Sequence, residues 1–196
     1  MRLFIGIACP CTPVISRLLG ALPGAADTRA AGLRVVAPDS LHITLKFIGA
    51  AAAPALPDIV RAMQRALANR CAFTLQLRGA GSFQSALWLG VEPNPALSGL
   101  ATALNEAMAA LGYARETKPF RPHLTLARLK HLPATPCPTQ KRLNPGFDLQ
   151  PWITQHQADQ WGNLSVTAVH LYRSDTLPDA VRYTVLSTVP LRPPAA

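Results

Sequence analysis

The sequence lacks several features that would narrow its class at once. Its cysteines have no CxxC spacing, so neither a zinc knuckle nor a dense disulfide framework is indicated. No stretch reaches the roughly 18 uninterrupted apolar residues that a membrane span needs, and there is no polybasic tail. We therefore expect a soluble, cytoplasmic protein with four reduced thiols, Cys9, Cys11, Cys71 and Cys137.

Acidic residues are also scarce. The chain has 10 acids against 19 lysines and arginines, which gives a formal charge of +9 over 196 residues. This balance favours an anionic partner such as nucleic acid or a phosphate compound. Solubility alone would also account for the charge, so the composition narrows the class of partner without identifying it.

The apolar content is sufficient for a folded domain, since 49% of the residues are hydrophobic. The length suits a single domain over residues 1–196. Hydrophobic periodicity predicts about three helices mixed with seven or eight strands, which is typical of an α+β fold. We expect strands at 2–8, 33–36, 41–48, 73–78, 86–91, 122–129, 164–173 and 181–189, with a flexible loop at 79–82.

In one region the sequence pattern does not predict individual helices and strands. From Lys130 to Gly162 the composition shifts to proline, glutamine and threonine. We expect either a long surface excursion there or loops around a short helix near Trp152.

Two short stretches of the same kind organise the chain. Each sets a histidine and a threonine among branched aliphatic residues, and the copies lie about half a chain apart. Because side chains alternate between the faces of a strand, each histidine shares a face with its threonine. The two stretches are Leu41-His42-Ile43-Thr44-Leu45 and Pro122-His123-Leu124-Thr125-Leu126.

Such a pair suits acid–base chemistry on a phosphate. With an unperturbed pKa of about 6.5, one imidazole serves as the acid and the other as the base near neutral pH. For a 2′,3′-cyclic phosphate, the base would take a proton from water while the acid protonates the departing ribose oxygen. The hydroxyls of Thr44 and Thr125 would then hold the non-bridging oxygens. No carboxylates cluster near either motif, which agrees with a reaction that uses no metal and no cofactor.

A single H-x-T pattern recurs by chance, and its histidine is more often structural than catalytic. Two copies with the same hydrophobic surroundings favour a catalytic role instead. The chain resembles the two-histidine phosphoesterase superfamily, specifically the bacterial RNA 2′,3′-cyclic phosphodiesterases formerly called 2′-5′ RNA ligases. The resemblance covers nearly the whole chain. It is carried by the blocks 1–5, 41–49, 87–91, 120–128 and 171–174.

The resemblance implies a bilobal α+β structure, with two antiparallel-sheet-plus-helix lobes related by a pseudo-twofold axis and a cleft between them. It implies that His42 donates a proton to the leaving 3′ oxygen, that His123 is the base, and that the product is a 2′-phosphate. Thr44, Thr125 and Arg128 would bind the phosphate. The substrate would be RNA or a nucleotide with a 2′,3′-cyclic phosphate, and the protein a monomer that needs no membrane.

Other functions stay open at this point. The same site run in reverse would be a 2′-5′ RNA ligase acting on RNA fragments such as those of tRNA. A basic cleft without turnover would make a non-catalytic protein that binds RNA ends. Both imidazoles could also be ligands of a metal, although the sequence offers no third ligand nearby.

Strict alternation along the strands sets further expectations. It places Lys46 on the His42 face, where it would steer the anion or simply be solvated, and it places Phe47 on the buried face. It also puts Arg128 on the face opposite His123, so a phosphate-binding role requires the strand to bend first. Base stacking is weighed for Phe47, Phe83, Trp88, Phe120 and Tyr172, most of which we expect in the core, while His131, His156 and His170 are expected to be surface or structural residues.

Overall fold

In a computed structural model of the chain, which describes residues 1–22, 33–83, 86–129, 148–177 and 181–194, four helices pack on a nine-stranded antiparallel sheet. The prediction of an α+β fold is confirmed. The strands are β1 (Arg2–Ala8), β2 (Leu33–Val35), β3 (His42–Ala50), β4 (Phe73–Phe83), β5 (Ala86–Val91), β6 (His123–Leu129), β7 (Gln160–Val166), β8 (Ala168–Thr176) and β9 (Val181–Pro190). The helices are α1 (Pro13–Gly20), α2 (Leu56–Leu67), α3 (Pro95–Ala109) and α4 (Gln150–His156).

Two helices begin at a residue whose side chain caps the first turn. The Thr12 side chain accepts a hydrogen bond from the backbone N–H of Ile15 and precedes Pro13, the first residue of α1. Asn94 does the same for the N–H of Leu97 at the start of α3. A side-chain oxygen at the cap satisfies an N–H that has no partner within the helix, and proline at the first position has no such N–H.

The strand order has an internal symmetry. The sheet runs β7-β4-β5-β6-β3-β1-β8-β9, with β2 added to β6. Reading outward from the β6–β3 junction gives three further strands on each side. We call β3, β1, β8 and β9 the His42 half, and β6, β5, β4 and β7 the His123 half. The two sheets that the resemblance implied are thus joined into one through β3 and β6.

Two of the helices pack against the half of the sheet opposite to the strand they follow in sequence. Helix α1 follows β1 of the His42 half but packs against β7, and α3 follows β5 of the His123 half but packs against β3. Helix α2 packs on α3 and β9, and α4 packs on β4. Each half therefore holds a helix that belongs in sequence to the other, which ties the two halves of the chain together.

The core lies between the sheet and these helices. It includes Ile5, Ile43, Leu89 and Leu124, which are fully buried at the centre of the sheet. The aliphatic residues of both motifs thus point to the core, as predicted, and leave the opposite sheet face to the histidines and threonines. None of the helices in the described residues has the length and apolar character to cross a bilayer.

The sequence-based elements are wrong in two places. The predicted strand 164–173 is two strands, β7 and β8, which meet at Thr167. The predicted flexible loop at 79–82 is part of β4, where Gly79 has φ +70 at a register shift against β5, and its carbonyl accepts a hydrogen bond from the Trp161 indole. Of the excursion expected over 130–162, residues 130–147 lie outside the described part. Beyond them, α4 matches the short helix expected near Trp152.

A buried ammonium fixes the approach to β6. Lys46 is only 4% exposed, and its Nζ donates to Asn105 Oδ1 at 2.8 Å and to the Ala114 carbonyl at 2.6 Å. Asn105 Oδ1 also accepts the backbone N–H of Glu116. Burial lowers the pKa of Lys46, while the Glu116 carboxylate opposes that shift. Lys46 therefore anchors the segment that leads into the second motif.

Replacing Lys46 with methionine is expected to lower the free energy of unfolding by about 1–3 kcal/mol, because two oxygens lose their charged donor while the apolar stem is kept. Urea denaturation of the Lys46→Met variant measures the loss. The exposed Lys118→Met is the matched control and should unfold at the wild-type midpoint. Equal midpoints for the two variants would contradict the anchoring role.

Candidate active site

The two motifs meet where the halves of the sheet join. β3 and β6 pair antiparallel with Ile43 opposite Leu124. Antiparallel register sets His42 across from Thr125 and Thr44 across from His123. His42, Thr44 and His123 are partly exposed and Thr125 is 9% exposed, so the four side chains share the sheet face away from the core.

The two histidines are held in the same way. His42 Nδ1 lies 2.7 Å from the Ser40 carbonyl, and His123 Nδ1 lies 2.7 Å from the Arg121 carbonyl. A carbonyl oxygen only accepts hydrogen bonds, so each Nδ1 carries a proton. When the ring is neutral, Nε2 is therefore the basic nitrogen. Both rings thus keep Nε2 for exchanging a proton with a ligand in the cleft.

Charged side chains of the His123 half affect the pKa of His42 in the other half. Burial lowers the pKa of His42, and the positive charges of Arg128 and His123 lower it further, while the hydrogen bond to Ser40 acts in the opposite direction. Arg128 also opposes the rise that burial causes in the pKa of Tyr183. Arg128 and His123 from one half therefore lie close to His42 from the other.

Aromatic rings enclose each imidazole. The His42 ring lies 4.7 Å from Phe4 and 4.9 Å from Tyr183, which it meets edge to face. On the other side His123 lies 5.0 Å from Phe83 and 6.2 Å from Trp88. These rings limit the rotation of the histidines and exclude water from their sides, which strengthens charge interactions within the cleft.

A glycine permits the position of Trp88. A Cβ built on Gly81 would lie 2.4 Å from the Trp88 ring. Glycine in β4 therefore lets the indole lie flat against the neighbouring strand. This close approach, and not loop flexibility, explains the glycine at this position.

A β-bulge brings Arg128 to the cleft. The β5–β6 register shifts after Leu87, which faces Ala127, to Trp88, which faces Thr125, and leaves Leu126 as an extra residue. Leu126 and Ala127 are both fully buried, so alternation is interrupted there. Arg128 consequently returns to the face of His123, and the bend that its predicted role required is present.

Strand β3 has the same irregularity, which reverses two expectations. Its register against β1 shifts so that Leu45 is unpaired, and beyond it Lys46 points to the core. The prediction that Lys46 shares the His42 face is wrong. So is the prediction that Phe47 is buried, since its side chain is 62% exposed and lies 6.3 Å from the Phe4 ring.

Several residues of the cleft were missed from the sequence. Phe4 and Tyr183 border His42, and Arg34 of β2 is the cross-strand partner of Arg128. Arg34 Nε is buried without a hydrogen-bond partner among the described residues. Nothing local marks these residues, because their roles depend on which strands become neighbours.

The described residues contain no group of three histidine, cysteine, aspartate or glutamate side chains placed to bind a metal ion. Of the three other histidines, His156 is paired with Asp159 at the end of α4 and His170 with Thr188. His131 lies outside the described residues.

The coupling between Arg128 and His42 is testable. Replacing Arg128 with glutamine is expected to raise the pKa of His42, because a nearby cation disfavours the imidazolium. NMR titration of the His42 ring in the folded protein measures the change. The Arg61→Gln variant removes an exposed arginine from α2 and should leave the titration unchanged. A His42 curve that stays in place, or moves down, in Arg128→Gln would contradict the arrangement.

Comparisons with known proteins agree with this architecture. A family model described as the 2′-5′ RNA ligase superfamily matches residues 22–177. An RNA 2′,3′-cyclic phosphodiesterase of Methanothermobacter thermautotrophicus is 31% identical over 159 residues, covering 79% of this chain and 80% of the relative. That of Thermus thermophilus is 30% identical over 205 residues, covering 98% and 91%. The crystal structure of E. coli LigT complexed with 3′-AMP superposes with a TM-score of 0.72 at 28% identity, covering 97% of each chain.

Proposed function

This chain belongs to the 2′-5′ RNA ligase superfamily, and from that premise we propose that it hydrolyses the 2′,3′-cyclic phosphate ends of RNA or oligonucleotides to 2′-phosphates. The observation that carries the proposal is the pair of histidines on facing strands, each with Nδ1 committed to a backbone carbonyl. The relatives named RNA 2′,3′-cyclic phosphodiesterase support the same reaction. The family resemblance noted from the sequence is confirmed.

The reaction is an in-line displacement at phosphorus. His123 Nε2 takes a proton from water as the water oxygen forms its bond to phosphorus. The bond from phosphorus to the ribose 3′ oxygen breaks, and His42 Nε2 donates a proton to that oxygen. The products are a 2′-phosphate and a 3′-hydroxyl, and the two histidines return to their starting states by exchanging protons with solvent.

Substrate binding prepares His42 for its role as the acid. In the free protein, burial and two neighbouring cations lower its pKa, which disfavours the protonated form. A phosphate anion in the cleft acts in the opposite direction, because a nearby negative charge favours the imidazolium. His42 therefore becomes a competent proton donor when the phosphate is bound.

The remaining residues hold the phosphate. The hydroxyls of Thr44 and Thr125 flank the two imidazoles and donate hydrogen bonds to the non-bridging oxygens. Arg128 compensates the charge that develops there as the water attacks. No step requires a metal, so we expect full activity after exhaustive chelation.

The pH dependence follows from one protonated and one neutral imidazole. We expect kcat/KM to be bell-shaped, falling in acid as the base is protonated and in alkali as the acid loses its proton. Its two apparent pKa values belong to the coupled pair. A flat profile between pH 5 and 9, in an assay limited by chemistry, would contradict the assignment.

The decisive experiment is an incubation of the purified protein with a short RNA bearing a 2′,3′-cyclic phosphate. The expected product has a terminal 2′-phosphate, and a 3′-phosphate would overturn the assignment of the leaving oxygen. Adding an RNA with a 5′-hydroxyl tests 2′-5′ ligation, in which that hydroxyl replaces water as the nucleophile, forms the new bond to phosphorus and displaces the ribose 3′ oxygen. Binding of the RNA without any product would indicate a non-catalytic RNA-end-binding protein.

The proposal also covers the domain organisation, oligomeric state and location of the protein. We propose that residues 1–196 act as one domain and that the protein is a cytoplasmic monomer. Light scattering at the concentration of the assay tests the monomer, and cell fractionation tests the location.

A further inference from the structure

Tyr183 lies beside the acid although it comes from the outermost strand of the His42 half. It belongs to β9, which β1 and β8 separate from β3 in the sheet. Its ring centroid nonetheless lies 4.9 Å from that of His42 and 5.2 Å from that of Phe4, and it meets both rings edge to face. Since neighbouring strands lie about 4.8 Å apart, this half of the sheet curves to bring β9 to the imidazole.

The phenolic oxygen of Tyr183 lies within the electrostatic field of Arg128. Burial raises the pKa of Tyr183, and the positive charge of Arg128 opposes that rise, because a cation favours the phenolate. Arg128 belongs to β6 of the His123 half, on the other side of the cleft from β9. Tyr183 therefore reaches from the acid toward Arg128, into the space where the proposed mechanism places the phosphate.

A neighbouring tyrosine shows that this placement is particular to Tyr183. Tyr172 of β8 stacks on Phe4 with ring centroids 4.8 Å apart, and its ring lies 5.9 Å from that of His42. Burial alone raises the pKa of Tyr172 to about 12, with no contribution from Arg128. Both tyrosines thus belong to the aromatic cluster around His42, but of the two hydroxyls only that of Tyr183 is directed toward the guanidinium.

The Tyr183 hydroxyl is available to a ligand. Among the described residues it has no hydrogen-bond partner, and it is not one of the fully buried side-chain atoms that lack a partner. The side chain is partly exposed, so the hydroxyl opens onto the cleft. Because burial raises its pKa, the hydroxyl keeps its proton at neutral pH and donates a hydrogen bond to an anion.

The rings beside His123 offer no equivalent donor. Phe83 and Trp88 border that imidazole, but a phenyl ring has no hydrogen-bond donor and Trp88 Nε1 is fully buried. The phenol therefore lies on the side of the cleft where the bond to the ribose oxygen breaks. When His42 gives its proton to that oxygen it loses its positive charge, so a second donor beside it stabilises the charge on the phosphate oxygens.

We propose that the Tyr183 hydroxyl donates a hydrogen bond to a non-bridging oxygen of the cyclic phosphate, the one on the side of His42. The inference rests on the proposed function and adds to it a catalytic residue that neither motif contains. The hydrogen bond strengthens as charge builds up on that oxygen in the transition state, because a more negative oxygen is a stronger acceptor. Tyr183 acts from the His42 half while Arg128 acts from the other.

The test replaces each tyrosine with phenylalanine, which keeps the ring and removes only the hydroxyl. With adenosine 2′,3′-cyclic phosphate as substrate, we expect Tyr183→Phe to lower kcat about 10- to 150-fold, the usual effect of losing a hydrogen bond to a charged group, with KM within about twofold. Tyr172→Phe is the matched control and should retain wild-type kcat and KM. Thermal unfolding should show both variants folded at the assay temperature. An unchanged kcat in Tyr183→Phe, or equal losses in the two variants, would overturn the inference.

Sulfur substitution separates a direct contact from a supporting role. The two diastereomers of adenosine 2′,3′-cyclic phosphorothioate carry sulfur in place of one or the other non-bridging oxygen, and sulfur accepts hydrogen bonds only weakly. Relative to wild type, Tyr183→Phe should lose little activity on the diastereomer with sulfur at the contacted position and the full amount on the other. Equal losses on both diastereomers would assign Tyr183 to the positioning of His42 and overturn the contact with phosphate.

Binding of the product separates this inference from the proposed function. If the wild-type protein hydrolyses no cyclic phosphate, the proposed function fails, and calorimetry with adenosine 2′-phosphate then tests Tyr183 by itself. We expect Tyr183→Phe to bind this compound at least about fivefold more weakly than Tyr172→Phe. Equal affinities of the two variants would overturn the inference.

Discussion

Replacing His42 or His123 with alanine is expected to reduce kcat by about 10²- to 10⁴-fold, the usual contribution of a positioned acid or base. Each variant removes one Nε2 and leaves the threonines, Arg128 and the other ring in place. Because the proposed mechanism assigns phosphate binding mainly to those remaining groups, the affinity for a cyclic phosphate end should change much less than kcat. Single-turnover hydrolysis measures the chemical step, and equilibrium binding to the same RNA measures the affinity.

The double variant gives a stricter test. When an acid and a base act in one concerted step, removing both costs little more than removing either. We therefore expect the His42→Ala, His123→Ala double variant to be nearly as active as the slower single variant. Fully additive losses would indicate that the two rings act in separate steps.

A third histidine supplies the control for these variants. His156 lies on α4 and is paired with Asp159, away from the β3–β6 junction. His156→Gln should retain wild-type turnover. If His42→Ala and His123→Ala also hydrolyse the RNA at the wild-type rate, the two-histidine mechanism is wrong.

The sequence predicts that the histidines and threonines of the two motifs share one face of the sheet, but it does not predict the faces of the residues that follow them. His42, Thr44, His123 and Thr125 follow from alternation alone, since each lies before the irregular part of its strand. Beyond Leu45 and Leu126 the parity changes. A bulge depends on how two strands pair, so the residues of one strand do not reveal it. Strict alternation therefore predicts the wrong face for both Lys46 and Phe47.

Glycine gave a second misleading signal. Gly79 and Gly81 are typical of a flexible loop, yet both lie within β4. Gly79 adopts a positive φ at a register shift, and Gly81 accommodates the Trp88 ring. The reason for either glycine lies on another strand, which local sequence patterns do not contain.

The sequence also does not predict that α1 and α3 each pack on the half of the sheet opposite to the strand they follow. The periodicity of α1 and α3 predicts amphipathic helices, and both exist. Their packing partners, β7 and β3, belong to the opposite half of the sheet from the strands they follow. This crossing depends on the tertiary arrangement of the whole chain. It also explains how two similar units form one protein around a single cleft.

Removing a threonine hydroxyl from either motif is also expected to lower kcat strongly. Thr125 is 9% exposed and lies between the buried Leu124 and Leu126, so valine of the same shape fits its place without a cavity. Thr125→Val is expected to lower kcat by about 10²- to 10³-fold, as measured when one donor to a developing oxyanion is removed. Thr44→Val should act in the same direction, because the register places Thr44 at the equivalent position beside His123.

Thr125→Ser is the matched variant that keeps the hydroxyl and removes only the methyl group. It should recover most of the wild-type kcat, while thermal unfolding should show that Thr125→Val is folded at the assay temperature. If the hydroxyl acts on the transition state, kcat and kcat/KM fall together in Thr125→Val. A rise in KM with unchanged kcat would instead mean that the threonine binds the ground state and transition state equally. Equal losses in the serine and valine variants would assign Thr125 a packing role and leave the phosphate oxygens to Arg128 and Thr44.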